Sequence, residues 1–91
     1  MTAAGAGPAP ALVDRARRVM AAAVDSPQGL AAYYVAVDVR RLCEAVCFAG
    51  RQDLQAITEA LLGRLEEEAS GAQPFDTSLA EDVDCALAKL R

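Results

Sequence analysis

Apolar residues recur at helical spacing in four stretches of this chain, separated by short breaks marked by Gly, Pro or Ser. Over 11–24, Leu12, Val13, Ala16, Val19, Met20, Ala23 and Val24 follow one another at steps of one, three and four. Asp14, Arg15, Arg17 and Arg18 fall off that stripe, which predicts an amphipathic first helix with Pro10 tolerated at its entry. Ser26 and Pro27 then form a start signal: a capping side chain, followed by a proline whose missing N–H costs nothing in a first turn. The second helix is predicted over 27–49, ending at Gly50 in a left-handed conformation.

A third helix is predicted over 52–69, starting near Arg51 or Asp53, with Leu54, Ile57, Leu61 and Leu65 on one face and Thr58 and Leu62 beside it. Gly63 inside it costs about 1 kcal/mol relative to Ala, which points to a close helix contact. Glu66, Glu67 and Glu68 oppose the helix dipole, so that end is expected to fray. Residues 70–74 read as a loop, and Phe75 as packing back on the core. The fourth helix, over 78–90, opens on the capping box Ser78-Leu79-Ala80-Glu81 and presents Leu79, Val83, Ala86, Leu87 and Leu90 on one face. Its acids sit early, with Lys89 and Arg91 late, as the dipole prefers. The expected fold is all-α: a small antiparallel four-helix bundle. Residues 11–91 make one helical domain behind a flexible tail over 1–10.

The second helix is unlike the others. From Gly29 to Phe48 it is apolar around almost its whole circumference, its charges being Asp38, Arg40, Arg41 and Glu44. Asp38, Arg41 and Glu44 make one narrow polar stripe, with Arg40 to the side. A helix so apolar is expected to be wrapped on most sides, by its own chain or by a second copy. Tyr33, Tyr34, Val35, Val37 and Val39 also carry strand grammar, but no turn signal brackets them and no partner strand exists in the chain, so helix is expected there.

Hydrophobic residues make up 54% of the 91, and 21 of them are alanine, so the core is expected to be thin and closely packed. His, Asn and Trp are absent, and basic residues are eight Arg to one Lys, a bias that points to a GC-rich bacterial genome. Without His the commonest general base and metal ligand are missing. Net charge is −4, split into +2 over residues 1–51 and −6 over 52–91. The basic first helix is therefore expected near the acidic last one, and an acidic chain speaks against nucleic-acid binding. No signal peptide is visible and no apolar run approaches the roughly 20 residues of a membrane span, so a cytoplasmic protein with reduced thiols is expected.

Chemistry-bearing residues are few. Cys43 and Cys47 lie one helical turn apart, and with Cys85 they could share a soft ion or act as a redox pair. Against that, the spacing is not C-x₂-C, no His completes a site, and cysteine commonly packs as a small hydrophobe. Asp38, Arg41 and Glu44 can pair with one another but have no nucleophile or His beside them. Arg15, Arg17 and Arg18 form a small basic cluster whose plain reading is a solvated face. Ser26 and Ser78 lack the Asp-Ser-Leu context and position of a carrier-protein serine, and read as caps. One of Tyr33 and Tyr34 should fill the core, leaving the other exposed as an anchor.

These features point to a non-enzymatic protein–protein interaction module with no cofactor and no metal. It would be a small regulator, an inhibitor or immunity-type protein, an adaptor or an accessory subunit, possessed of a partner protein or a second copy of itself. Tyr34, Val37, Arg40 and Arg41 are the expected interface residues, and the acidic fourth helix is a second candidate. The alternative is a thiol-based sensor or soft-metal protein using Cys43, Cys47 and Cys85.

Overall fold

The computed structural model describes residues 9–25, 29–69 and 77–90. The rest of the expected tail, the Ser26–Pro27 start signal, the 70–74 loop, Phe75 and Arg91 lie outside the described residues. Among those described, four α-helices and one short 3₁₀ turn account for nearly everything, and there is no strand. They are α1 (Ala9–Asp25), α2 (Gly29–Phe48), a 3₁₀ turn (Gln52–Leu54), α3 (Gln55–Ala69) and α4 (Thr77–Ala88). Tyr33 to Val39 is helical, as the lack of turn signals requires. The chain forms a small all-α bundle.

Each boundary has a local cause. α1 opens at Ala9, two residues before the expected start, so Pro10 sits in the first turn, where it has no helical hydrogen bond to lose. α2 stops because Gly50 adopts a φ of +71°, a conformation open to glycine at little cost. The chain then folds back on the helix end. The Arg51 N–H donates to the Ala45 carbonyl at 3.2 Å, and the Gln52 side-chain amide donates to the Val46 carbonyl at 3.3 Å. Arg51 clamps Asp53 with two hydrogen bonds of 3.0 and 3.1 Å across the 3₁₀ turn that leads into α3. Ser78 is not the cap of α4. The helix already includes Thr77, and the Ser78 hydroxyl instead accepts from Arg64 Nη2 at 3.2 Å.

α2 packs against all three other helices, α1 and α4 each also pack on α3, and the core runs between them. Leu12, Val13, Ala16, Val19 and Ala23 enter it from α1, and Leu54, Thr58, Leu61, Leu62 and Leu65 from the third segment. Leu79, Val83 and Ala86 enter from α4, with Leu87 and Leu90 half-buried beside them. Val24, expected on the buried stripe of α1, is exposed at the helix end. The molecule is a slab, 38 × 31 × 15 Å across its Cα atoms. Fifteen ångströms is the depth of two helix layers, given axes about 8–10 Å apart and a Cα radius of about 2.3 Å.

Ion pairs tie the helices across the slab. Arg15 donates to both carboxylate oxygens of Glu66, at 2.7 and 3.1 Å, and Arg64 donates to Asp82 at 2.7 Å. The first of these corrects two expectations. The basic cluster of α1 meets the end of α3, not the last helix, and that end stays helical through Ala69 instead of fraying. The hydrogen bonds from Arg15 hold the Glu66 carboxyl below its ordinary value. Both side chains are about one-third exposed, which limits such a pair to under about 1 kcal/mol.

Gly63 does not mark a close contact: a Cβ built on it meets nothing within 4 Å. Gly63→Ala should therefore stabilise the protein by about 1 kcal/mol, the propensity difference alone, and raise the melting temperature by roughly 4–8 °C in circular-dichroism melts. Gly50→Ala, forced into the left-handed region, should lose about 1–2 kcal/mol in the same assay. Thr58 is fully buried and its hydroxyl has no hydrogen-bond partner among the described residues. Thr58→Val removes that unmet group at nearly the same shape, and should raise unfolding free energy in urea by about 1 kcal/mol.

Candidate interaction face on the second helix

α2 buries one face only. Ala32, Val35, Ala36, Val39, Leu42, Cys43 and Val46 are its buried residues, and at 100° per residue they span an arc of roughly 120°. The opposite side carries Leu30, Tyr34 and Phe48, which are 68%, 63% and 76% exposed. Of the wrapping expected for this helix, its own chain supplies one face among the described residues and leaves the other open. The fold supplies three neighbours, and all of them meet the same side.

The outward face contains most of the expected interface. Val37, half-buried, and Arg41, exposed, lie within about 20° of its centre line, and Tyr34 is exposed about 40° from it. Arg40 turns away toward the flank. Its Nε is shielded from solvent, makes no hydrogen bond, and lies 3.6 Å from Glu44. Arg41 approaches Asp38 at 3.8 Å. The polar stripe is therefore two pairs, Asp38–Arg41 and Arg40–Glu44, not one chain of three residues. Burial, with Asp84 nearby and against the pull of Arg41, holds the Asp38 carboxyl above its ordinary value.

Neither tyrosine joins the core. Tyr33 is half-buried, Tyr34 is exposed, and the two rings meet edge to face with centroids 6.1 Å apart and planes at 69°. The expected core-filling tyrosine is corrected by the buried arc of α2, which passes from Ala32 to Val35 and leaves both rings outside. Leu30 and Phe48, which extend the face to both ends of the helix, were not among the expected interface residues. Their signal was present as apolar residues sharing the Tyr34 side of the helical wheel.

The other candidates are dispersed. Cys43 is buried, Cys47 half-buried and Cys85 exposed. Among the described residues no three of His, Cys, Asp and Glu come together in a group that could hold a metal ion, so Cys85 does not join the other two. Burial, reinforced by the neighbouring Cys47, pushes the Cys43 thiol up to about 12. Burial also raises the Cys47 thiol. On α4, Glu81, Asp82 and Asp84 are exposed, with Asp82 engaged by Arg64. A shallow open groove between α1 and α3 is lined by Arg18, Val19, Ala22, Glu66 and Ala69 and contains no nucleophile. Among the described residues no helix is long and apolar enough to cross a membrane. No protein family, curated protein or solved structure matches this chain.

Thiol labelling of the native protein should proceed at Cys85 first, then Cys47, with Cys43 reacting only on unfolding; peptide mass spectrometry reads the order. The raised Cys43 value also makes alkali destabilising. The folded thiol keeps its proton where the unfolded thiol, at its ordinary 9.0, loses it. The stability tied to that proton is complete below 9.0 and drains away as pH climbs toward 12. Urea melts of the wild type should show that fall, and Cys43→Ala should flatten it.

Proposed function

We propose that this chain is a non-enzymatic protein–protein interaction module acting through the outward face of α2. It would serve as a small regulator, an inhibitor or immunity-type protein, an adaptor or an accessory subunit. The observation that carries this reading is the coincidence of three large exposed apolar side chains, Leu30, Tyr34 and Phe48, on one side of a helix whose other side is the core. Scattered exposed apolar residues need no explanation, but here Leu30 and Tyr34 sit one turn apart and Phe48 lies on the same side at the far end of the helix. Tyr34 is the natural anchor, because a tyrosine buries a large area at low entropic cost. Arg41 beside it supplies orientation. Cysteines present as thiols suit a reducing compartment, and the cytoplasm is part of this reading.

The test is affinity capture from extracts of the native host, quantified by mass spectrometry, with wild type compared against Tyr34→Ala and Phe48→Ser. Both substitutions lie on exposed positions and should leave the fold intact by circular dichroism. Specific partners should be lost by about tenfold or more with Tyr34→Ala, as expected for a central aromatic anchor. Retention of the same proteins at the same level by both variants would remove the α2 face as the binding site.

A further inference from the structure

The uncovered face of α2 reads the same from both ends. Leu30 and Phe48 bracket it eighteen residues apart, five turns of about 3.6 residues, so they point in the same direction. Inward from them come Tyr34 and Ala45. Asp38 and Arg41 lie midway along its length, Asp38 half-buried on the flank beside the buried arc and Arg41 on the face itself, in contact with each other at 3.8 Å. The pairs 30/48, 34/45 and 38/41 are all centred within half a residue of the point between Val39 and Arg40. A face so ordered matches itself when turned end for end.

We infer that the occupant of this face is a second copy of the chain, docked antiparallel about a two-fold axis at Val39–Arg40. This rests on the reading of α2 as the interaction face and adds its occupant. Leu30 of each copy meets Phe48 of the other, and each Tyr34 ring lies over the small Ala45. Asp38 faces Arg41 twice, once on each side of the axis. In a parallel arrangement Asp38 would face Asp38 and Arg41 would face Arg41, so charge selects the antiparallel pairing.

Two further observations favour this occupant. At 3.8 Å the contact of Asp38 with Arg41 is too long for a hydrogen bond, so both keep hydrogen-bonding capacity to offer across an interface. Asp84 of α4 adds a second negative charge near Asp38, and a guanidinium arriving from outside would compensate both. The face sets the strength of the contact. It is about 27 Å long and about 10 Å wide, near 300 Å² per copy against about 800 Å² in a standard interface. The dimer is therefore one that forms and dissociates with concentration.

Sedimentation of the purified full chain over a concentration series tests this. The wild type should show a reversible monomer–dimer equilibrium. Asp38→Arg and Arg41→Asp should each weaken association by at least about tenfold, because each places like charges across the axis. Mixing those two variants should restore dimers, since one chain then carries two positive charges at these positions and the other two negative. Circular dichroism confirms that each variant is folded. Independently of any variant, amide chemical shifts that move on dilution of the wild type should fall on Leu30, Tyr34, Arg41, Ala45 and Phe48. A wild type that stays monomeric at millimolar concentration, a mixture no more associated than its components, or dilution shifts elsewhere would each overturn the inference. A monomer that still captures host proteins in a Tyr34-dependent way overturns self-pairing alone and leaves the interaction face standing.

Discussion

Everything in this fold hangs on how α2 meets its neighbours. The α1–α2 contact is the most extensive in the molecule, and the two helices supply four wholly buried alanines, Ala16 and Ala23 from one and Ala32 and Ala36 from the other. Small side chains allow close axes and leave little volume to fill. The larger residues of α2, Val35, Val39, Leu42 and Val46, are buried on the same arc, and α2 also packs on α3 and α4. Because one arc of α2 serves three neighbours, the opposite arc has none among the described residues. The same packing that closes the core produces the exposed row of Leu30, Tyr34 and Phe48.

Charge plays a different part on each side of the slab. On the packed side, Arg15 to Glu66 and Arg64 to Asp82 bridge helices that are distant in sequence, and both arginines bind carboxylates with short hydrogen bonds. On the open side of α2, the contacts of Asp38 with Arg41 and of Arg40 with Glu44 stay within one helix and are long. The first set fixes the arrangement of helices. The second leaves charged groups only loosely engaged.

Local signals were legible and tertiary ones were not. The helices follow from the period of the apolar residues, and the end of α2 follows from Gly50, because both depend on near neighbours along the chain. Most buried residues follow too, since an amphipathic helix declares its inner face. What failed needed knowledge of the neighbour. Gly63 has the propensity of a contact glycine but open space beside it. Glu66 sits at the wrong end of the dipole, yet Arg15 meets it there. A tyrosine was expected in the core, but the direction of the buried arc is set by where α1, α3 and α4 arrive. Ala, Tyr, Val and Leu in one segment do not reveal which side of it will be covered. Tyr34, Val37 and Arg41 were found on the open face because the polar stripe marks it. Leu30 and Phe48 carry no such mark, because an apolar side chain on a helix reads from sequence as interior.

A slab 15 Å thick has an interior only one layer of side chains deep. Two helix layers leave a single seam of side chains between them, with no depth at which a guest could be enclosed without parting the layers. Recognition by such a molecule is a matter of its broad faces, and the information it carries is written in two dimensions.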